Sequence, residues 1–121
     1  MKIEQITDNK DVTYTYWLGE NAKDNWDIIS KSDKNDIWFH LADYPSAHVI
    51  LKISLLDPPQ TLKQISKQIL IYCGSVCRTH SKFPSGSSKN KMKIVYTEVR
   101  NLKKGKEIGS VFTRKENFIY V

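Results

Sequence analysis

The chain has 121 residues, of which 40% are hydrophobic and 26% charged, a composition typical of one globular domain with its own core. No run of residues is long and apolar enough to span a bilayer, and the first residues lack a signal-type apolar segment, so a cytoplasmic protein is expected. The two cysteines, Cys73 and Cys77, are too few for a disulfide framework.

Charge is divided unevenly along the chain. Residues 1–60 contain six Lys/Arg and ten Asp/Glu, a net charge of −4, whereas residues 61–121 contain 13 Lys/Arg and three Asp/Glu, a net charge of +10. A basic half favours polyanionic partners such as RNA and DNA. A lysine-rich surface that is merely solvated is an open alternative.

The first half of the chain is predicted to be mostly extended. Its β-branched and aromatic content, with alternation of apolar and polar residues, predicts four strands. These strands are Met1 to Ile6, Val12 to Leu18, Asp36 to Leu41 and Ala47 to Ile53. A short helix is predicted from Ala22 to Ser30, with Asn21 as its N-cap.

The second half contains the predicted main helix, from Pro59 to about Thr79, with Asp57 as its cap. Its apolar residues form one stripe, which predicts packing against a sheet. The stripe consists of Leu62, Ile65, Ile69, Cys73 and Val76. Residues 80–91 predict a basic loop. The closing strands are predicted at Met92 to Val99, Gly109 to Arg114 and Asn117 to Val121.

These elements together predict a single α+β domain over residues 1–121. Its sheet is expected to be largely antiparallel, with one main helix and one short helix.

Two histidines, His40 and His48, lie on neighbouring predicted strands. Alternation places Asp36, Trp38 and His40 on one face of the first strand, and His48 faces the same way if the strands pair. We therefore expect Asp36, Trp38, His40 and His48 to form one patch near a strand end. Trp38 is expected to be mainly structural. His40 or His48 is expected to be partly exposed.

The chemistry of this patch has several readings. In a structural reading, hydrogen bonds hold the histidines and Asp36 fixes the tautomer of one ring. A metal site would need three or four ligands, and the other donors, Cys73, Cys77 and His80, have no common zinc spacing. No cofactor or obligate small molecule is expected. No nucleophile motif, phosphate-cradling glycine loop or carboxylate pair is present, so no enzymatic activity is expected.

A nucleic-acid surface is the remaining reading. Aromatic and imidazole rings stack on bases, and lysine and arginine neutralise phosphates. A backbone turn containing glycine between basic residues can also hold phosphate oxygens. The basic surface is predicted to consist of Lys82, Lys89, Lys91, Arg100, Lys103, Lys104 and Lys106.

Four motifs, in one order along the chain, resemble the signature of the NFACT RNA-binding domain family. The motifs are Asp36-Ile37-Trp38-Phe39-His40, Ser46-Ala47-His48-Val49, Val95-Tyr96-Thr97 and Asn101-Leu102-Lys103-Lys104. Gly19, with Asn21 and Asn25, is similar to the opening motif of the family, although Glu20 replaces its usual basic residue. The resemblance extends from about Val12 to Gly109, and more loosely to the C-terminus.

The resemblance implies an α+β RNA-binding domain without catalysis of its own, in translation or ribosome-associated quality control. The implied partners are tRNA or rRNA and the large ribosomal subunit, with DNA as a further candidate and no membrane partner. The sequence resembles the RNA-binding module alone, without the other modules of large family members or the helical tail of small ones. The alternative is a protein-interaction or structural module for an acidic partner.

The residues and the resemblance together predict the nucleic-acid-binding side chains. They are Asp36, His40, His48, Lys82, Lys89, Lys91, Arg100, Asn101, Lys103, Lys104 and Lys106.

Overall fold

A computed structural model describes residues 1–82 and 90–121. In chain order its elements are β1 (Lys2–Thr7), β2 (Thr13–Leu18), α1 (Ala22–Lys31), β3 (Ile37–Leu41), β4 (Val49–Leu51), α2 (Lys67–Thr79), β5 (Lys93–Glu98), β6 (Leu102–Lys104), β7 (Val111–Thr113) and β8 (Asn117–Tyr120). Six strands form an antiparallel sheet in the order β1-β2-β4-β3-β5-β8, and β6 pairs with β7 in a separate hairpin. The expected α+β fold, with one main and one short helix, is confirmed.

Each face of the sheet is covered by a different layer. On one face, α2 packs its apolar stripe, including Ile69 and the buried thiols Cys73 and Cys77, against a cluster that contains Phe39. On the other face, α1 and the β6–β7 hairpin pack against a cluster that contains Trp38. The predicted alternation along β3 is therefore confirmed, because neighbouring residues belong to opposite clusters.

The main helix begins later than predicted, at Lys67 rather than Pro59. Its N-cap is Ser66, whose side chain accepts a hydrogen bond from the backbone N–H of Ile69. A separate 3-10 turn at Leu62–Gln64 precedes it, and the Gln64 side chain accepts a 2.8 Å hydrogen bond from the backbone N–H of Thr61. The prediction that Asp57 caps the main helix is therefore wrong.

Two strand predictions also change. The strand predicted from Gly109 to Arg114 is limited to Val111–Thr113, and its partner β6 was missed. The strand predicted from Ala47 to Ile53 is limited to Val49–Leu51, because Ile53–Leu55 forms a 3-10 turn. Three-residue strands are too short for an alternation pattern to specify their ends.

Strands β3 and β4 pair in a register that places Trp38 opposite Ile50. Continued by one residue beyond each end of the ladder, this register puts His40 opposite His48 and Asp36 opposite Lys52. The two histidine rings do meet, with ring centroids 4.9 Å apart. The expectation that the histidines lie together is confirmed.

Asp36 lies at the other end of β3, so placing it in the histidine patch was wrong. Its fully buried carboxylate contacts the Lys52 ammonium at 2.6 Å, and Lys52 is itself only 4% exposed. The same carboxylate accepts hydrogen bonds from the backbone N–H groups of Asp33 and Ser54. Asp36 therefore stabilises the fold, and its predicted role as an RNA-contacting residue is contradicted by its burial.

Replacing Lys52 with methionine removes a buried cation and leaves the Asp36 carboxylate unpaired. We expect the free energy of unfolding to fall by about 3–5 kcal/mol, measured by urea denaturation at pH 7. The matched control is Arg100→Met, since Arg100 and Glu98 form a 3.5 Å ion pair whose side chains are 43% and 31% exposed. That exposed pair is expected to contribute less than about 1 kcal/mol. Similar losses in both variants would contradict the structural role of the buried pair.

Candidate nucleic-acid interface

The two facing histidines are held by Trp38. The Trp38 indole Nε1–H donates a 3.0 Å hydrogen bond to Nδ1 of His48, and the indole stacks on the His40 ring with centroids 5.3 Å apart. Trp38 is 1% exposed, which agrees with the structural role predicted for it. His48 is only 2% exposed and His40 is half-buried. Direct readout of RNA by the side chain of His48 is therefore contradicted, whereas His40 keeps an exposed part.

Hydrogen bonds determine the tautomers of the two neutral rings. An indole N–H only donates, so Nδ1 of His48 accepts and its ring proton lies on Nε2. Nδ1 of His40 contacts the backbone carbonyl of Leu41, which only accepts, so the ring proton of His40 lies on Nδ1 and its Nε2 is an acceptor. The tautomer of His48 is thus set by Trp38, and the reading in which Asp36 sets a tautomer is wrong.

Both rings are uncharged at neutral pH. Burial, with a smaller contribution from the neighbouring His40, lowers the pKa of His48 to about 3. Burial also lowers the pKa of His40, although the Leu41 carbonyl partly opposes this shift. A ring with a pKa this low is not an imidazolium near pH 7, so it lacks the acidic proton that a histidine general acid donates.

A cleft of about 600 Å³ opens beside the histidine pair, and all three histidines of the chain line it. We call it the histidine cleft; it is lined by His40, His48 and His80 with the start of α1, the connection between β3 and β4, and residues 107–110 of the hairpin loop. The opening, Asp36–His40 and Ser46–Val49 motifs all contribute residues to it. The sequence motifs therefore converge on one concave site.

Two glycines allow the loops to approach at this cleft. The Gly19 N–H donates to the His48 carbonyl at 3.0 Å, and a Cβ on Gly19 would lie 1.9 Å from Oδ1 of Asn25. Gly109 has a φ of +89°, and a Cβ there would lie 2.9 Å from the Cα of Ala22. The spacing of Gly19 and Asn25 in the opening motif thus reflects direct packing.

A second concave surface lies along the β6–β7 hairpin. We call it the basic groove; Arg100, Lys103, Phe112 and Arg114 line it, and its volume is about 470 Å³. Phe112 pairs across the hairpin with Lys103 and is 64% exposed. An exposed aromatic ring between cationic side chains is an arrangement suited to base stacking with phosphate neutralisation.

A buried polar network anchors the base of the hairpin. The Thr97 hydroxyl lies 3.1 Å and 3.0 Å from the carbonyl oxygens of Arg114 and Lys115, and it accepts a 2.9 Å hydrogen bond from the amide nitrogen of Asn101. The backbone carbonyl of Asn101 accepts a hydrogen bond from the backbone N–H of Arg114 at 3.1 Å. Asn101 is 5% exposed, so it supports the groove, and its prediction as an RNA-contacting side chain is corrected.

The predicted basic residues line several depressions rather than one surface. Lys82 lines the histidine cleft, and Lys91 lines a pocket at the start of β5. Lys104 donates to the Ser30 hydroxyl on α1, with its ammonium 5.5 Å from the Trp26 ring. Arg100 and Lys103 belong to the basic groove, Lys106 is exposed in the hairpin loop, and Lys89 lies outside the described residues. The RNA-binding roles of these basic residues stay predictions.

Phe112 and Arg114 were missed from the sequence. Alternation in Val111–Thr113 puts Phe112 on the other face of the strand from the half-buried Val111 and Thr113, and the sequence shows this alternation. Phe112 lies beside Lys103 only because β7 pairs with β6, and the sequence did not indicate this pairing.

The described chain offers neither a metal-binding cluster nor a membrane-spanning helix. Among residues 1–82 and 90–121, no three His, Cys, Asp or Glu side chains are grouped so that they could hold a metal ion. Within the same ranges no helix has the length and apolar character needed to cross a membrane.

Comparison with known protein families identifies the class of the domain. The sequence-family model of the NFACT protein RNA binding domain matches residues 4–117. The chain belongs to this family. It is therefore a nucleic-acid-binding module by family, and the resemblance seen in its motifs is confirmed.

The relatives of this family member are longer proteins. Coiled-coil domain-containing protein 25 of Mus musculus is 35% identical over 76% of this chain and 42% of its own length. The Dictyostelium discoideum homologue is 34% identical over 88% of the chain and 50% of its own length. Rqc2 homolog RqcH of Streptococcus pneumoniae is 28% identical over 85% of the chain, which spans 17% of that protein. The chain thus spans half or less of these relatives.

A solved structure shares the fold. The C-terminal part of the fibronectin/fibrinogen-binding protein from Streptococcus suis matches all of this chain and 45% of that chain, with a TM-score of 0.76 and 21% identity. At this identity the likeness concerns the fold alone.

The depressed pKa of His48 predicts a loss of stability in acid. The unfolded chain takes up a proton as the pH falls below about 6.5, while the folded chain resists protonation until about pH 3. The free energy of unfolding should therefore decrease below pH 6, with a slope of about 1.4 kcal/mol per pH unit from this ring. Urea denaturation at pH 7, 6 and 5 measures it.

The controls for this slope are two glutamine variants. His48→Gln keeps an acceptor for the Trp38 indole but removes the titration, so its acid slope should be shallower. His80→Gln changes an exposed histidine and should retain the slope of the wild type. An unchanged slope in His48→Gln would contradict the assignment.

Proposed function

We propose that this chain is a non-catalytic module that binds structured RNA through the basic groove of the β6–β7 hairpin. The observation that carries the proposal is the 64% exposed ring of Phe112, which lies in a groove with Arg100, Lys103 and Arg114. A large exposed aromatic costs solubility unless it has a partner. Cationic side chains around it favour a polyanion whose bases can stack on the ring.

The charges support an electrostatic mode of binding. Arg100, Lys103 and Arg114 line the groove. Arg100 is paired with the Glu98 carboxylate, whereas Lys103 and Arg114 add two further positive charges. When such groups bind RNA, they displace the counterions condensed on its phosphates, so affinity should fall steeply as salt increases. Binding needs no metal in this scheme, and a chelator should leave it unchanged.

The setting we propose is translation, in the cytoplasm. The likeness to Rqc2 homolog RqcH supports ribosome-associated quality control, with tRNA or rRNA as the RNA and the large ribosomal subunit as the larger partner. DNA is a weaker candidate, since its bases are paired and less free to stack on Phe112. The burial of His48 supports the absence of catalysis by this ring, because its side chain is 2% exposed and its Nδ1 is engaged by Trp38.

Reversing two charges on the hairpin tests the groove. We expect Lys103→Glu with Lys104→Glu to weaken binding of tRNA and to reduce the slope of log affinity against log salt by about two, measured from about 50 mM salt upward. The matched control is Lys63→Glu with Lys67→Glu, the same charge change at exposed positions near the start of α2, on the opposite side of the sheet.

Equal weakening by both double variants would mean that net charge, rather than the groove, governs binding. An acidic polypeptide is the competitor that identifies the alternative function. If it binds the wild type more tightly than tRNA does at equal salt, the chain is a module for an acidic protein, and the RNA proposal fails.

Truncating the exposed ring tests the stacking contribution. Phe112→Ala should weaken binding of a single-stranded RNA by about 1–3 kcal/mol, because a base loses its stacking partner. Its melting temperature should stay within a few degrees of the wild type, since the ring is exposed. Phe118→Ala, at a 44% exposed aromatic on β8, is the matched control and should bind like the wild type. Equal affinity of Phe112→Ala and wild type would exclude stacking on this ring.

A further inference from the structure

We propose that the histidine cleft accepts one unpaired base of the RNA that lies in the basic groove. The inference rests on the proposed function, because it assigns a second subsite, which holds a base, to the same RNA. It follows from the charge of the cleft, from the hydrogen-bonding groups that line it and from its connection to the hairpin.

The charge of the cleft disfavours a phosphate. Lys82 brings one positive charge to the lining, while Glu20 and Glu107 bring two negative charges, and His40 and His48 are neutral near pH 7. The start of α1 is not an open anion site either. Asn21 accepts from the N–H of Asp24, whose carboxylate in turn lies 2.9 Å from the N-terminal ammonium. Among the described residues the cleft therefore has no excess of positive charge that would favour an anion, and a neutral base is compatible with its lining.

The lining offers an acceptor for an N–H group of a base. His40 is half-buried, and its tautomer leaves Nε2 as an acceptor. Asn25 also lines the cleft, but its amide Oδ1 is buried against Gly19, so this side chain shapes the wall of the cleft.

The walls fit a flat heteroaromatic ring. Pro45, Ala47 and Ile108 contribute apolar surface between the polar groups. Imidazole rings are among the side chains on which splayed-out RNA bases stack, and His80 is exposed at this cleft. A volume of about 600 Å³ lies within the range of pockets that hold ligands of nucleoside size.

The hairpin joins the two subsites. Its loop residues 107–110 line the histidine cleft, whereas β6 and β7 line the basic groove. Each strand has three residues, so the span along the hairpin is about 10 Å. Successive stacked bases rise about 3.4 Å, so a few nucleotides bridge the two subsites. A single RNA strand can therefore place a base on Phe112 and another in the histidine cleft.

Histidine-selective ¹⁵N labelling provides the direct test on the wild-type chain. All three histidines line the cleft, so every labelled ring reports on it. We expect adenosine and uridine, titrated at pH 7, to shift the His40 and His80 resonances in a saturable manner, while inorganic phosphate leaves them in place. Shifts with phosphate but not with nucleosides, or no saturable shift with either nucleoside, would overturn the proposal.

An abasic substitution links the cleft to the bound RNA. A short single-stranded RNA with one abasic position, scanned along the strand, should bind the wild type about tenfold more weakly at the position that enters the cleft. In the variants His40→Gln and His80→Ala this penalty should shrink, whereas Lys103→Glu should weaken all RNAs alike and keep the penalty.

The outcomes of the two experiments separate the two proposals. Absence of RNA binding at about 50 mM salt would refute the proposed function, even if nucleosides still shift the histidine resonances. Normal RNA binding with the same abasic penalty in wild type and both histidine variants would refute the base subsite alone.

Discussion

The register between β3 and β4 is the constraint on which the rest of the structure depends. It places a buried ion pair, Asp36 with Lys52, at one end of the two strands and the pair of His40 and His48 at the other, with Trp38 between them. A shift by one residue would exchange the faces of every side chain on the moved strand. It would move one charge of the ion pair into the apolar layer under α2 and leave both charges unpaired.

Each end of the β3–β4 strand pair positions one concave surface. At the ion-pair end, the Asp36 carbonyl accepts from the N–H of Val99, which starts the turn that leads into the hairpin and its basic groove. At the histidine end, the His48 carbonyl accepts from Gly19, just before α1. The indole of Trp26 on α1 then donates to the Ser110 carbonyl and closes the hairpin loop over the cleft. The groove and the cleft are thus opposite ends of one covering layer.

The two surfaces differ in the kind of chemistry they offer. The groove is cationic and exposed, so it suits phosphates and stacking, and salt screens its attraction. The described lining of the cleft has no excess of positive charge, because two Glu accompany its one Lys, and burial keeps His40 and His48 unprotonated. A charged imidazolium pair at a centroid distance of 4.9 Å would repel itself and lose its bond to Trp38. Neutrality is therefore a condition of this packing, and it favours recognition by hydrogen-bond pattern.

The sequence by itself determined the element types, the alternation along β3 and the family, because these depend on periodicity and on short motifs that are local. It also indicated that Trp38 is structural and that two histidines face each other. Only the tertiary structure decided the roles of Asp36, His48 and Asn101. The burial of Asp36 and His48 depends on Lys52 and Trp38, which come from other segments of the chain. The burial of Asn101 depends on the hydrogen bonds that join it and Thr97 to Arg114. The basic groove likewise depends on the pairing of two three-residue strands, which the sequence did not indicate. Local patterns select elements, whereas long-range packing selects which polar side chains remain at the surface.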